Sequence, residues 1–480
     1  MSQLSNIEAW AKQSAEPLAV SINDVTVDLL QPFRHLSGKR LTCKATWQGQ
    51  TVIAKLFYGS GHKHYALKEK LNLEALNKAG VKAAKLLHAT EQADAALLLI
   101  AYIDKAVSLA DWLKTEPKAA EFKTVMSAMT RLILTCHDAG FIIKDPHLDN
   151  FLLRDDQLTL IDAGDIAYNK SSVSTAESIQ NMALFYAQLA ITWDEQAYQV
   201  LNGVTTDRSG WNMDKNQWAD LLIKQRRWRQ KRFIDKKVFR SCTPYICQQT
   251  ASRYLVAKRS FYTEEIEQAL KTPDQLIEAG QLLKDGRTAT VARIEIQGKS
   301  YVLKRYNIKN PVYALLRGLI WSRAAVSWKN GLVLEMLGIP TALSYALIEE
   351  RWGPIRRRSY LLSEYIDAPR AWDIFENQRY DDEARQHWAK KIQALFALLK
   401  RSQISHGDLK AQNILCPDKG PVFIDLDGMK SKQGKKMFLR QYTKDMQRFH
   451  ISWPLKWKNN PYFLLTPDNK NQVDDIEINK

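Results

Sequence analysis

Two stretches of this chain carry the same residues at the same spacing, 263 positions apart. Tyr102-Ile103-Asp104 returns as Tyr365-Ile366-Asp367. Asp145 with Asn150 returns as Asp408 with Asn413, and Leu160-Ile161-Asp162 returns as Phe423-Ile424-Asp425. A repeat of this length is one domain written twice, so the chain must fold as two related halves. Further upstream, Trp47-Gln48-Gly49 before Lys55 returns as Ile296-Gln297-Gly298 before Lys304, at an offset of 249. The second copy therefore carries about 14 extra residues between these points, expected around Asn307 to Ser322.

Both copies have the same local pattern. Alternating segments at 41–47 with 51–57, and at 290–296 with 301–306, predict hairpins. Helical patterns follow and stop at Gly80 and Gly338. Strands at 96–102 and 360–365 come next, then longer helices rich in Leu and Ala. A strand-rich half followed by a helix-rich half, twice over, is an α+β arrangement. The expected domains are 20–250 and 270–460, each bilobal. They meet near 245–270, in a stretch too poor in Gly and Ser to be a free linker.

The repeated polar residues suit phosphoryl transfer. That chemistry needs a cation on the nucleotide phosphates, oxygen ligands for magnesium, and a carboxylate to orient the attacking hydroxyl. Lys55 closes the strand Val52-Ile53-Ala54-Lys55, and Lys304 closes Tyr301-Val302-Leu303-Lys304. Each stands where a strand lysine grips phosphates. His406-Gly407-Asp408-Leu409-Lys410-Ala411-Gln412-Asn413 reads like a kinase catalytic loop. Asp408 would be the base, Lys410 a neutralising cation, and Asn413 a magnesium ligand. The first copy keeps Asp145 and Asn150, with Ile143 in place of His406 and His147 in place of Lys410. Twelve residues past each asparagine lies a second metal candidate, Asp162 or Asp425. No single piece is specific, because a terminal strand lysine or an Asp–Asn pair is common in loops and edges; the ordered series, found twice, is what counts.

Two parts are weaker. No GxGxxG motif occurs; Gly286, in Lys284-Asp285-Gly286-Arg287-Thr288, is the candidate phosphate loop, with Ser37-Gly38 its poorer counterpart. For the acid that should pair the strand lysine, the first copy offers Glu69 and Glu74, both on the helix before Gly80. The corresponding helix of the second copy offers Glu335 near its end.

These residues resemble the lipopolysaccharide kinase (Kdo/WaaP) family, most strongly from Leu283 to Asp445. The Asp425-Leu426-Asp427 form and Gly338-Ile339-Pro340-Thr341 carry the likeness. The resemblance implies two tandem protein-kinase-like domains and ATP- and magnesium-dependent phosphorylation of a heptose or Kdo sugar in the lipopolysaccharide inner core. It also implies an acid eleven residues before the helix-ending glycine: Glu69 holds that place in the first copy, while the second has Ser327 there, leaving Glu335 or no acid at all. The partners it implies are the core oligosaccharide–lipid A substrate and the cytoplasmic face of the inner membrane. Two other readings stay open: a kinase for a protein or small-molecule hydroxyl, and a pseudokinase scaffold.

Charge and composition fit a cytoplasmic protein at an anionic surface. Lys and Arg number 69 against 52 Asp and Glu, a formal charge of +17, which attracts polyanions. Nine of those cations fall between Lys224 and Arg240, with Trp228 and Phe233 among them. This is either a solvated helix face or a contact for core phosphates and lipid headgroups. No nucleic-acid motif accompanies it. Tyr313 to Arg323 reads as either a packed helix or an interfacial one. Five cysteines without a CxxC pair argue against a disulfide framework or zinc site. No signal peptide or membrane-spanning run is expected.

Overall fold

The computed structural model describes residues 3–13, 16–169, 171–307, 320–453 and 461–463. Two compact units divide the chain: Met1–Gln188 with Asp194–Leu222, and Leu189–Trp193 with Ile223–Lys480.

The first unit is built on a six-stranded antiparallel sheet. Its order is Leu18–Ile22, Val25–Leu36, Arg40–Trp47, Gln50–Tyr58, Ala95–Ala101, Leu86–Glu91. Alternation decides its faces. Leu41, Cys43, Ala45, Ala54, Leu56 and Leu97 pack on one side, with Ile7 and Trp10 of the helix Gln3–Gln13 over them. Phe57, Ala96 and Leu98 point the other way, against Ala66 of the helix His62–Lys78. The remainder is mostly helical, led by Ala119–Asp138, with short strands Phe141–Ile143, Phe151–Arg154 and Gln157–Leu160.

The second unit holds a seven-stranded sheet: Tyr245–Gln249, Arg253–Lys258, Ser344–Trp352, Ile355–Glu364, Lys299–Tyr306, Ala289–Ile296, Gln281–Asp285. The helices Glu264–Ala269 and Pro273–Ala279 cover one face through Ile266, Leu270 and Ile277. The helix Arg323–Leu337 packs on the other through Trp328, Val333 and Leu337. Its limits follow from its ends. Ser322 accepts a hydrogen bond from the Ala325 N–H at 3.1 Å, and Gly338 closes it at φ 65°; a serine cap is worth about 1 kcal/mol over alanine.

The duplication is legible in the ladders. Five strands of each sheet share one order, and the lysines hold the same register: Lys55 faces Thr42 and Leu98, and Lys304 faces Val291 and Leu361. Parallel bridges Ala83–Leu160 and Thr341–Phe423 tie each sheet half to its loop half. These pairs also locate the insertion. Asn72 and Asn330, 258 apart, each donate to two carbonyls of the following loop: Ala163 and Ile166, or Leu426 and Met429. Nine extra residues thus fall between Lys304 and the helix, and five more lengthen the Ser344–Glu364 hairpin at its tip. Of the segment read from Tyr313 to Arg323, residues 313–319 lie outside the described residues, while Ile320 and Trp321 are exposed.

The stretch 223–258 belongs with the second unit rather than the first. Ile234, Val238, Tyr245 and Val256 join its core, and the hairpin Tyr245–Gln249 with Arg253–Lys258 extends its sheet. The basic run is also more structural than a solvated face. It lies on the helix Lys215–Lys237, where Arg226 and Gln230 are buried. Arg226 donates to the Leu189 carbonyl at 3.2 Å, and Asp235 pairs with Lys329 and Lys432. Lys224, Trp228, Lys231 and Arg232 remain on the exposed side.

Candidate active site

In the first unit the strand lysine is locked by a buried acid. Lys55 Nζ is paired with Glu69 Oε1, and both side chains are almost wholly buried. Asp162 Oδ1 lies 3.6 Å from the same nitrogen, and Arg40 lies 3.8 Å from Glu69. Burial works against the Lys55 charge, but the Glu69 and Asp162 carboxylates outweigh it and hold the ammonium above its usual range. Burial likewise opposes the Asp162 charge; Lys55 and Arg40 prevail and keep that carboxyl below the usual carboxylate range.

The second unit solves the same problem differently. Lys304 Nζ sits 2.5 Å from Asp425 Oδ1 and 4.8 Å from the centre of the Tyr306 ring. Ser327, at the position of Glu69, is buried and bonds the Tyr306 hydroxyl at 2.8 Å. Glu335 does not reach the site: it pairs with Lys258 at 2.6 Å. The Lys304 partner is therefore the metal-candidate carboxylate itself. Burial works against the Lys304 charge, yet Tyr306, Asp425 and Asp427 together raise it above its usual range. Asp425 adopts a left-handed backbone, φ 61°, and Lys304 overcomes burial to hold its carboxyl low. Asp427 is held in turn by Arg323, whose Nε lies 2.8 Å away.

In both catalytic-loop candidates the asparagine folds back on its aspartate. The Asn413 amide nitrogen donates to the Asp408 carbonyl at 2.8 Å and to its carboxylate at 3.2 Å. Asn150 makes the corresponding bond to the Asp145 carbonyl at 3.4 Å. Ile424 N–H donates to the Asn413 carbonyl and Ile161 N–H to that of Asn150, at 3.0 and 2.9 Å. Lys410 reaches Asp408 Oδ1 at 2.9 Å. Its first-unit counterpart His147 turns to Asp149 instead, at 3.0 Å.

Sequence reasoning gave no role to the residues that hold these loops in place. Asp445, nearly fully buried, accepts the N–H groups of His406 at 2.7 Å and Gly407 at 2.9 Å. Gly407 needs to be glycine: its φ is 84°, and a Cβ there would meet the Gly428 carbonyl at 2.1 Å. In the first unit Asn181 does the anchoring, donating to the Ile143 carbonyl at 2.8 Å while accepting from buried His137. The signal for Asp445 was a lone acid within an otherwise basic helix, Lys435–Ile451.

The phosphate-loop candidates are turns with their amides partly committed. Gly286 N–H donates to the Ala289 carbonyl at 3.1 Å, so it closes its own hairpin turn. In the first unit Glu8 takes both the Ser37 hydroxyl and the Gly38 N–H, each at 2.7 Å.

The family model described as lipopolysaccharide kinase (Kdo/WaaP) family matches residues 29–201 and 278–462. The chain belongs to that family. One matched segment falls on each repeat, and between them they contain every site candidate named from sequence. No curated protein matches the chain. A solved structure titled "WaaP in complex with acyl carrier protein" is 17% identical, with a TM-score of 0.31. That match covers 42% of this chain and 88% of the other. Among the described residues no helix is long and apolar enough to cross a membrane.

A kinase family of this kind implies ATP, usually with a divalent metal. The donor set fits magnesium. Each unit offers one carboxylate, Asp162 or Asp425, and one asparagine, Asn150 or Asn413, whose amide nitrogen is spent on the loop and whose carbonyl oxygen is left over. Two hard oxygens are what magnesium takes from a protein when phosphates complete its shell.

Proposed function

We propose that this protein transfers phosphate from ATP to a heptose or Kdo sugar of the lipopolysaccharide inner core. The repeated lysine–aspartate–asparagine–aspartate arrangement, within a chain of the lipopolysaccharide kinase family, is the observation that carries this reading. On it the two halves are kinase-like bilobal domains. Lys304 and Lys55 hold nucleotide phosphates, with Glu69 fixing the latter and Gly286 serving as the phosphate-loop glycine of the second unit. Asp425 with Asn413, and Asp162 with Asn150, hold magnesium, which supplies charge neutralisation at the transferred phosphoryl. Asp408 and Asp145 orient the acceptor hydroxyl and take up its proton. Lys410 offsets charge beside Asp408.

The acceptor is carried by lipid A, so the protein works peripherally at the cytoplasmic side of the inner membrane, drawn there by its positive charge. The second reading, a scaffold in core assembly with a silent second unit, is favoured by Ser327 standing where the lysine-pairing acid should be. The test is incubation of the full chain with magnesium, γ-labelled ATP and deep-rough lipopolysaccharide. Label in the core, lost in the double variant Asp145→Asn/Asp408→Asn, supports a kinase. No label with wild type supports the scaffold.

A further inference from the structure

The turn that should cradle phosphates in the first unit has little of its backbone left for them. Glu8 takes the Gly38 N–H and the Ser37 hydroxyl, each at 2.7 Å, and the Lys39 N–H donates to the Leu36 carbonyl at 2.9 Å. Phosphates entering beside Lys55 must therefore be met by side chains. Arg40, the first residue of the strand after the turn, is placed to meet them. In the ladder it stands opposite Phe57, while Thr42, two residues on, stands opposite Lys55. Residues two apart on a strand share a face. Arg40 and Lys55 thus lie on the side of the sheet that carries the helix His62–Lys78. The Arg40 guanidinium is 5.8 Å from the centre of the Phe57 ring and 3.8 Å from Glu69 Oε2.

That ion pair is loose, because Lys55 holds the other oxygen of Glu69. Among the described residues the Arg40 side chain donates no hydrogen bond, although it is only 20% exposed. A guanidinium is a fork of N–H donors, and leaving them unmet in a largely buried place is unfavourable. Arg40 also acts on the metal candidate: burial opposes the Asp162 charge, and Lys55, Arg40, the Gly164 N–H and Arg34 together hold that carboxyl low. In the second unit the same ladder position is Ala289, opposite Tyr306, and Arg323 there is taken by Asp427. An arginine fork matches two oxygens of a phosphate, which a point charge such as lysine does not. We infer that Arg40 is a phosphate-binding residue of the first unit, gripping the β- and γ-phosphates of the nucleotide beside Lys55 and Asp162, a contact the second unit lacks. This rests on the kinase reading above and adds to it the group that makes the first site selective for a triphosphate.

The experiment uses the full chain carrying Lys304→Ala, which leaves the first site, in saturating magnesium. AMP, ADP and the β,γ-imido analogue of ATP are titrated in turn. Adding Arg40→Ala should weaken the imido analogue about tenfold or more, the scale of a lost charge-assisted contact. It should weaken ADP less and leave AMP unchanged, and the retained AMP binding reports a folded site. Arg40→Lys, which keeps the charge without the fork, should recover part of the loss, and it carries the same comparison if Arg40→Ala does not fold. A loss equal for all three nucleotides, or an imido analogue bound as tightly as before in Arg40→Ala, overturns the inference and leaves Arg40 as a support for Glu69. If Lys304→Ala alone binds none of the three, the kinase reading of the first unit falls; if it binds them and Arg40→Ala does not discriminate by phosphate number, only the Arg40 assignment falls.

Discussion

The two lysine sites share one register and one ladder but keep their charge balanced in opposite ways. In the first unit Lys55 is buried against Glu69 from the adjoining helix, leaving Asp162 3.6 Å off and available to a metal. In the second unit Ser327 has replaced that acid, and Lys304 falls back on Asp425, the candidate metal ligand. On the proposed kinase reading, a nucleotide–magnesium complex would enter the first site with the lysine already placed, and in the second would have to draw Asp425 away from Lys304. The candidate catalytic loops differ the other way: the second has Lys410, Arg448 and a two-pronged anchor in Asp445, the first a neutral anchor in Asn181. The first copy thus has the better-paired lysine and the second the more elaborate loop around its aspartate.

Removing the buried acid is the most disruptive way to break this contrast. Glu69→Gln strands the Lys55 charge in a dry site with only Asp162 nearby. It should cost the first unit about 3 kcal/mol, the lower end for breaking a buried pair. Hydrogen exchange across His62–Lys78 and Gln50–Tyr58 should accelerate while the second sheet is unaffected. Equal protection in mutant and wild type would mean that the pair does not hold the unit together.

Next in size is Asp408→Asn, which should lower phosphoryl transfer by about 10² or more, the scale of losing a general base. Binding of an ATP analogue should survive. If transfer is unchanged and Asp145→Asn abolishes it, the more elaborate acceptor side is not the working one.

The two-copy plan and the site candidates are legible in the amino-acid sequence. A fixed offset of 263 ties Asp145 to Asp408 and Asp162 to Asp425 because one ladder and one loop geometry recur, and geometry of that kind leaves its spacing in the chain. What stayed hidden depends on contacts distant in sequence. Glu335 stood near the right helix end, but one helical position decides which face it serves, and it faces Lys258. Arg226 read as part of a charged run; it is buried, with Gln230 one turn on, because the helix Lys215–Lys237 is packed on that side, and closely spaced cations do not reveal which side is covered. Asp445 and Arg448, one turn apart, reach a loop nearly 40 residues earlier.

The anchors predict a milder difference in acid response. Burial pulls the His137 pKa below its ordinary value, against the opposing bond from Asn181. The unfolded chain therefore takes up its proton first as pH falls below about 6.5. First-unit stability tied to this group is intact above that pH and declines below it, at up to about 1.4 kcal/mol per pH unit, until the folded histidine titrates. His137→Gln should flatten the exchange-versus-pH profile of Ala119–Asp138; an unchanged slope would remove His137 as the cause. Smaller still is Ser327→Ala. Losing the Tyr306 hydroxyl bond should cost about 1 kcal/mol and leave nucleotide affinity at Lys304 nearly as it was, in contrast to Glu69→Gln at Lys55.

The central claim is that both repeats are nucleotide sites built on equivalent lysines. It is tested most directly by titrating a non-hydrolysable ATP analogue with magnesium into wild type, Lys55→Ala and Lys304→Ala. Two bound equivalents in wild type and one in each variant, with the site left in Lys304→Ala the tighter of the two, is the expected result. A single site in wild type that disappears in Lys55→Ala alone would contradict it and make the second unit a silent copy.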